Sequence, residues 1–353
     1  MRDSKITGPY IIFNSKTLIN LCSNDYLGLT QPTISNSQNQ SSSRLIAGND
    51  NSFKTLEEKL SKHKSQGSTL IFPTGYMANL GVISTLIEKN DLVLSDKLNH
   101  ASLIDACKLS NAKLSIFKHN DMDDLTRKIK LKAKRKFIIT EGIFSMDGDF
   151  SKLNEISEIS EKNNLIIILD DAHGDFVIGN DGKGTANYFG VSKKIDVYIS
   201  SLSKGLGSFG GYVSSKKNVI DLCINKSKPF IYTSALPTTI INDGIKRFDS
   251  NREMKRKMLW KNVKYFSTEM KKIGFDIKSP SHIIPIIIGN EKLALEFSEY
   301  LFRNGIYAQA IRYPTVPHNQ ARIRISITAR LTKKHITNAL NIFEKAKKKF
   351  QVI

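Results

Sequence analysis

Short apolar runs alternate with helical patterns of apolar residues between residues 70 and 235. One helical pattern places Leu153, Ile156 and Ile159 on a single face, as an amphipathic crossover helix does. Runs that are apolar throughout are typical of strands in a mostly parallel sheet that is covered on both faces. The predicted strands are Leu70-Phe72, Leu92-Leu94, Phe137-Thr140, Leu165-Leu169, Val197-Ser200 and Gly211-Ser214. Functional side chains of such sheets lie at the carboxyl ends of the strands.

The pattern differs on both sides of this region. The stretch from Gln31 to Ser43 is rich in Ser, Asn and Gln and predicts a loop, which a helix containing Phe53, Leu56 and Leu60 follows. Beyond Pro237 the predicted elements are a long basic helix around 252–257, strands at Ile283-Ile288, Ile306-Ile311 and Arg322-Ile327, a helix near Lys292-Arg303 and a closing helix. We therefore predict an N-terminal segment and loop (1–43), a large domain (44–236) and a small C-terminal α+β domain (237–353).

The composition adds an unusual charge to this picture. The 353 residues include 53 Lys and Arg against 33 Asp and Glu, which gives a net charge of +20. Such a charge suits nucleic acid, a membrane surface, an acidic protein or a phosphate-bearing substrate as a partner. It equally suits solvated faces that are basic because the whole proteome is rich in lysine. Basic clusters at 132–136, 252–257 and 347–349 keep a nucleic-acid-binding protein open as an alternative. No recognition motif with interleaved aromatic residues accompanies them, so we predict no nucleic-acid partner.

The sequence also predicts the compartment. Cys22, Cys107 and Cys223 are widely spaced and fit neither a disulfide framework nor a zinc ribbon. No apolar segment of a signal peptide follows Met1, and the apolar runs are far shorter than the ~20 residues that cross a bilayer. We expect a soluble cytoplasmic protein without a metal site or a membrane partner.

The segment from Ser201 to Gly211 is the most informative for chemistry. Its glycines spell G-x-G-x-x-G from Gly205 to Gly210, but a strand-like stretch follows instead of the helix that a dinucleotide site requires. Lys204 stands between Ser and Gly directly after a buried strand, where its amine is available for Schiff-base formation. Taken alone, Lys204 would be better interpreted as an ordinary surface lysine in a glycine turn.

Other segments supply the remaining parts of a pyridoxal phosphate site. Asp170 ends a buried apolar strand, where a carboxylate is costly unless a cation such as a protonated pyridine nitrogen accompanies it. Thr74-Gly75-Tyr76 is a strand-to-helix turn suited to a phosphate, and His100 follows another strand. Each segment also has a purely structural interpretation. Asp170 could be a helix cap or part of an ion pair, and His173 could be a core histidine. The turn could be an ordinary helix cap, and His100 could lie in a loop. Together the segments predict pyridoxal 5'-phosphate as the cofactor.

These residues resemble the α-oxoamine synthase family of pyridoxal phosphate enzymes. The resemblance runs from Asn20-Leu29 to the C-terminal helix, and its most specific motifs are Glu141-Asp149, Asp170-Gly174 and Leu202-Lys204. It implies an α/β fold of the fold-type I, aminotransferase-like class, with a mostly parallel central sheet and a smaller α+β C-terminal domain. It also implies a homodimer whose active sites are shared at the subunit interface.

The resemblance implies a role for each cofactor-site residue. Lys204 would bind the cofactor and later move protons, Asp170 would pair with the pyridinium nitrogen, and His100 would stack on the ring. His173 and Ser145 would lie near the phenolic oxygen. The residues that would hold the phosphate are Gly75, Tyr76, Ser201 and, from the neighbouring subunit, Thr233.

Substrate positions follow from the same resemblance. Asn24 and Arg324 match positions that receive the carboxylate of the amino acid. The segments 171–174, 231–237 and 311–317 favour the family member that condenses L-alanine with pimeloyl-CoA or pimeloyl-acyl carrier protein in biotin biosynthesis, with loss of CO₂. Arg312 would meet the distal end of the acyl chain, or else be a solvated charge at a strand end. A sister enzyme that uses glycine and an acetyl thioester stays open, because the cofactor residues are shared.

The sequence departs from the family pattern at a few places. The region between Leu29 and Arg44 is shorter than in other members, and Ser41-Ser43 stand where glycines are expected. Phe53 occupies a position that is commonly histidine, and Asp175-Phe176 replaces a more usual Thr-Gly pair. These departures concern the substrate channel rather than the cofactor site.

Overall fold

The computed structural model describes residues 4–13, 15–30 and 42–352, so residues 31–41 of the predicted loop lie outside it. The strands are β1 Lys5–Thr7, β2 Tyr10–Phe13, β3 Lys16–Asn20, β4 Ser68–Phe72, β5 Leu92–Asp96, β6 Lys113–Phe117, β7 Lys136–Glu141, β8 Ile166–Asp170, β9 Val197–Ser201, β10 Gly211–Ser215, β11 Ile283–Gly289, β12 Ile306–Tyr307, β13 Gln309–Ile311 and β14 Ala321–Ser326. The α-helices are α1 Asn51–Lys64, α2 Gly75–Leu86, α3 Ala101–Leu109, α4 Met122–Ile129, α5 Leu153–Asn163, α6 Thr185–Tyr188, α7 Lys217–Lys226, α8 Lys228–Ile231, α9 Thr238–Phe248, α10 Arg252–Lys272, α11 Glu291–Arg303 and α12 Lys333–Phe350.

The chain divides into two compact units. The first unit consists of Met1–Gly28, Ser145–Asp149 and Glu253–Ile353, and the second consists of Leu29–Phe144 and Phe150–Arg252. In the second unit α9 packs closely against α1. A Cβ added to Gly244 of α9 would lie 3.2 Å from Leu56 Cδ2 of α1. The predicted folding domains 1–43, 44–236 and 237–353 stay a prediction.

The second unit is built on a seven-stranded sheet within the described residues. The strand order is β4-β10-β9-β8-β7-β5-β6. β10 runs antiparallel to both of its neighbours, whereas β9, β8, β7, β5 and β6 are paired in parallel. The predicted mostly parallel central sheet is therefore confirmed.

Helices cover both faces of this sheet, which explains why its strands are apolar throughout. Along β8, Ile167 and Leu169 pack in the same core as Leu153 and Ile156 of α5. Ile168 lies on the opposite face, in a second core with residues of α2, α3 and α7. Successive side chains of a strand point to opposite faces, so an apolar core on each side requires an apolar residue at every position.

The first unit holds two smaller sheets, ordered β1-β2-β3-β12 and β11-β14-β13 within the described residues. The segment predicted as one strand at Ile306-Ile311 is instead two strands in different sheets, because β12 pairs in parallel with β3 and β13 pairs antiparallel to β14. Phe343 of α12 lies against Phe266, Phe275 and Phe297, and so joins α10 and α11 in one aromatic core. Among the described residues, no helix is both long and apolar enough to span a membrane.

Candidate active site

A cavity of about 260 Å³ lies in the second unit at the carboxyl ends of β7, β8 and β9. The predicted residues among those that line it are Gly75, Tyr76, His100, Asp170, Ser201 and Lys204. The first residues of α2 and α3 also face it, because each of these helices follows a strand that ends at the same edge of the sheet. The topology therefore collects these side chains from segments that are far apart in the sequence.

Lys204 and His173 meet at this edge. Lys204 follows β9, and His173 lies in the turn that follows β8. The Nζ of Lys204 lies 2.9 Å from Nε2 of His173, and the His173 side chain is buried. A lysine amine with a histidine in hydrogen-bonding distance has a partner that can orient it and exchange a proton with it.

Asp170 ends β8 and is 7% exposed. Its carboxylate accepts hydrogen bonds from Asn79 Nδ2 at 2.8 Å and from the backbone N–H of Ala172 at 3.0 Å. These two donors hold the carboxylate at the cavity wall. Neither donor carries a charge, so a cationic ligand atom would be the natural charge partner for Asp170.

His100 caps the N-terminus of α3. Its Nδ1 accepts the backbone N–H of Ser102 at 3.2 Å and lies 2.8 Å from Ser102 Oγ. Burial, together with the charge of Lys204, lowers the pKa of His100, although the Asp170 carboxylate opposes this shift. The ring is therefore neutral near pH 7, with Nδ1 engaged and Nε2 left to carry the ring proton.

Glu141 is a further site residue, which belongs to the motif Glu141-Asp149 but has no predicted role of its own. It ends β7, lies beside Asp170 in the parallel register and is 3% exposed. One of its oxygens accepts the backbone N–H of His100 at 2.6 Å. Burial and then the neighbouring Asp170 raise the pKa of Glu141 well above its ordinary value. An acidic residue at the end of a buried strand was the available signal.

An anion cradle stands at the start of α2. Thr74 caps this helix by accepting the N–H of Met77 at 3.1 Å, and the first N–H groups of a helix have no partner within it. A Cβ at Gly75 would meet Ser201 Cβ at 3.2 Å, so glycine keeps this corner open. The Ser201 and Ser203 hydroxyls lie 2.8 Å apart beside it. Tyr76 is exposed, and its hydroxyl donates to Asp105 Oδ2 at 2.6 Å.

Together these groups fit pyridoxal phosphate. The cradle matches a phosphate, Lys204 matches an aldehyde carbon, and Asp170 matches a protonated ring nitrogen. Thr233 is not among the cavity-lining side chains in the described part of the chain and instead borders a separate small space beside Phe230 and Leu236. Its predicted role from a neighbouring subunit stays a prediction.

The remaining predicted residues belong to the first unit. Arg324 lies on β14, where its Nε donates to the Ser145 carbonyl at 2.6 Å and a terminal nitrogen donates to Ser326 Oγ at 3.0 Å. The hydroxyl of Tyr26 donates to Asn24 Oδ1 at 3.0 Å. Burial raises the pKa of Tyr26 to about 12 although the charge of Arg324 opposes the shift, so Asn24 and Arg324 meet around Tyr26. Arg312 follows β13 and is exposed.

Comparisons with known proteins agree with this site. Residues 16–343 match the family model of aminotransferase class I and II. The chain is 42% identical to an 8-amino-7-oxononanoate synthase of Thermoanaerobacter pseudethanolicus, over 98% of this chain and 92% of that protein. It is 37% identical to 8-amino-7-oxononanoate synthase 1 of Bacillus subtilis, again over 98% of this chain and 92% of that protein.

Solved structures give the same fold. A serine palmitoyltransferase of Sphingomonas wittichii superposes with a TM-score of 0.95 at 28% identity and covers 100% of this chain and 93% of that one. An 8-amino-7-oxononanoate synthase of Francisella tularensis superposes with a TM-score of 0.79 at 29% identity. The match covers 95% of this chain and 99% of that one. The predicted fold-type I architecture is confirmed, and the chain belongs to the aminotransferase class I and II family of pyridoxal phosphate enzymes.

Proposed function

We propose that the chain is an 8-amino-7-oxononanoate synthase of biotin biosynthesis. It would condense L-alanine with a pimeloyl thioester to give 8-amino-7-oxononanoate, CO₂ and a free thiol. The observation that carries the proposal is the convergence of Lys204, Asp170 and His100 on one cavity, in a chain that aligns over nearly its whole length with synthases of that name.

The cofactor site would be held by residues of the second unit. Bound pyridoxal phosphate supplies an aldehyde that captures an amine and a ring that withdraws electrons from the adjoining carbon. Asp170 would keep the ring nitrogen protonated by charge pairing, and His100 would stack on the ring. Gly75, Tyr76 and Ser201 would hold the phosphate, with Thr233 of the neighbouring subunit.

Proton movement would fall to Lys204. After the amino acid displaces it, its free amine would take the Cα proton of alanine and later return a proton to the product. His173, 2.9 Å from this amine, would orient it and lie near the phenolic oxygen together with Ser145. Asn24 and Arg324 would receive the alanine carboxylate by charge-assisted hydrogen bonds, and exposed Arg312 would meet the distal end of the acyl chain.

A homodimer in the cytoplasm completes the proposal. Phe209 borders the cavity and is 49% exposed, and Tyr232 beside Thr233 is 81% exposed, so a second copy would bury apolar surface at the site. The acyl carrier would be coenzyme A or an acyl carrier protein. Sedimentation of the purified enzyme at about twice the chain mass is the expected result.

Rescue of a biotin-requiring strain tests the function directly. Expression of the chain is expected to restore growth without biotin, whereas a Lys204→Ala variant is not. The purified enzyme is then supplied with alanine and pimeloyl-CoA, or with glycine and acetyl-CoA, and CO₂ and thiol release are measured. Turnover of the glycine pair alone, without rescue, would replace the proposal with the sister activity.

A further inference from the structure

Four ionisable side chains form a buried charge cluster in the second unit. The cluster consists of His63 and Lys64 at the end of α1, and Asp171 and Asp175 in the turn after β8. Each residue is 5% exposed or less. Burying charge costs free energy unless the charge is paired, so the contacts of this cluster determine whether it is stable.

Lys64 is the centre of the cluster. Its Nζ lies 2.6 Å from Asp175 Oδ1 and 3.5 Å from Asp171 Oδ2. It also donates to the backbone carbonyl of Lys183 at 3.0 Å. One ammonium therefore forms ion pairs with two carboxylates, the closer one with Asp175, and also binds a carbonyl.

The charge balance depends on this ammonium. Burial raises the pKa of Asp171 to about 6, although Lys64 opposes the shift. Burial also tends to raise the pKa of Asp175, but Lys64 and His63 outweigh it and hold that pKa below its ordinary value. Burial lowers the pKa of His63, which is therefore neutral near pH 7. At that pH the cluster contains one cation and two anions, and the charge of Arg252 acts on His63 from outside the cluster.

The two carboxylates mark the ends of a short turn, and both ends are tied to neighbouring strands. The N–H of Asp171 donates to the carbonyl of Ile199 at 2.8 Å. The Oδ2 of Asp175 accepts the hydroxyls of Ser200, at 2.9 Å, and Tyr212. Within the turn, the N–H of Asp175 donates to the Asp171 carbonyl at 2.8 Å.

His173 lies at the middle of this turn. Its backbone is fixed between the two anchored carboxylates, and its Nε2 lies 2.9 Å from Lys204 Nζ. We propose that Lys64 is a positioning residue for the reaction: by bridging Asp171 and Asp175 it fixes the turn, and the turn fixes the contact between His173 and Lys204.

The inference rests on the proposed function in one respect, namely that Lys204 is the reacting amine. The geometric part does not depend on it. A displacement of about 1 Å in a group that orients a reacting atom can lower turnover about a hundredfold. Loss of the bridge is therefore expected to reduce kcat more than it changes the KM for the amino acid.

Two variants test the bridge. Lys64→Met removes the ammonium and keeps an unbranched chain of similar length. Asp175→Asn keeps the shape of the side chain and leaves Lys64 paired with Asp171. This variant therefore tests the bridge if Lys64→Met does not fold. The matched control is Lys59→Met on the same helix, which breaks the exposed ion pair of Lys59 with Asp249 at 2.8 Å.

The first measurement is the ¹⁵N spectrum of histidine-labelled holoenzyme, in which His173 is assigned by the signal lost in His173→Gln. The wild type and Lys59→Met are expected to show one ring tautomer of His173. Lys64→Met and Asp175→Asn are expected to show a shifted or averaged His173 signal. The second measurement is the kcat and the KM, with kcat expected to fall at least about tenfold in both variants and KM to change less than about twofold.

The proposal would be overturned if the variants lowered only the unfolding temperature and left the His173 signal and kcat equal to those of Lys59→Met. Failure of the synthase activity itself is distinguishable, because the His173 signal is measured without substrate. In that case a wild-type signal in Asp175→Asn would overturn the positioning role, and a changed signal would support it.

Discussion

Asp171 allows a quantitative test of the charges in the cluster. Burial raises its pKa from 3.8 to about 6, so the folded protein holds this proton more tightly than the unfolded chain does. The difference of about two pH units corresponds to about 3 kcal/mol. This contribution stabilises the fold fully below about pH 4 and is lost as the pH rises through 6. Above that, the ionised carboxylate has Lys64 at 3.5 Å and the Thr185 hydroxyl at 2.7 Å as partners.

The perturbation is Asp171→Asn, which keeps the shape and removes the titrating proton. The free energy of unfolding is measured by urea denaturation of both proteins between pH 4 and pH 7.5. The advantage of the wild type over the variant is expected to shrink by about 2 to 3 kcal/mol across this range, or by about 3 to 4 °C in Tm. Titrating groups that do not interact with Asp171 cancel in the comparison.

Asp249→Asn, which removes an exposed carboxylate paired with Lys59, is the control for loss of a carboxylate. A fall of the same size between pH 4 and pH 6 in this control would assign the effect to the loss of any carboxylate. A difference between the wild type and Asp171→Asn that is independent of pH, or that grows as the pH rises, would refute the reasoning. It would mean that burial does not disfavour the ionised form of Asp171.

Three further substitutions test the site and its supports. Thr74→Ala should lower the free energy of unfolding by about 1 kcal/mol through loss of the helix cap, with Thr74→Ser close to the wild type. Gly184→Ala should destabilise far more than Gly190→Ala, because both glycines have positive φ but only at Gly184 would a Cβ collide, at 1.8 Å from Asp171 Oδ2. Equal melting temperatures would contradict this clash. Asp170→Asn should reduce product formation about a hundredfold or more while Tm changes little, and near-normal turnover would disprove its charge role.

The sheet could be predicted well where it is buried on both faces. Val197–Ser201 and Ile166–Asp170 agree with the predicted strands within a residue at each end, because every position needs an apolar or small side chain. Lys113–Phe117 was not predicted. It is an edge strand with Phe117 as its buried residue, so its apolar signal is weak. The N-terminal strands were also missed, since they are short and partly exposed.

The pairing of strands was less predictable than their positions. The six residues from Ile306 have the apolar pattern of one strand, but their partners belong to two different sheets. Only the distant β3 and β14 decide where the first strand ends. A periodicity that is read along the chain contains no information about such partners.

The site shows the same limit. The closeness of Lys204, Asp170 and His100 could be predicted because each lies at the end of a strand or within four residues after it, and parallel strands bring their carboxyl ends together. Lys64 could not. It stands in a basic last turn with Lys62 and His63, which is typical of a solvated helix end, yet it is 4% exposed. Its burial depends on carboxylates more than a hundred residues away.

The position of β4 has a consequence for synthesis of the chain on the ribosome. In the described sheet β4 is an edge strand, and its neighbour β10 lies about 140 residues later. At typical elongation rates those residues take roughly 10 to 30 seconds to make. During that interval the nascent β4 has an open edge on both sides, which is a template for unwanted pairing. The corner between Gly75 and Ser201 closes only when β10 has been synthesised and pairs with β4. Binding of the cofactor should therefore coincide with completion of the sheet.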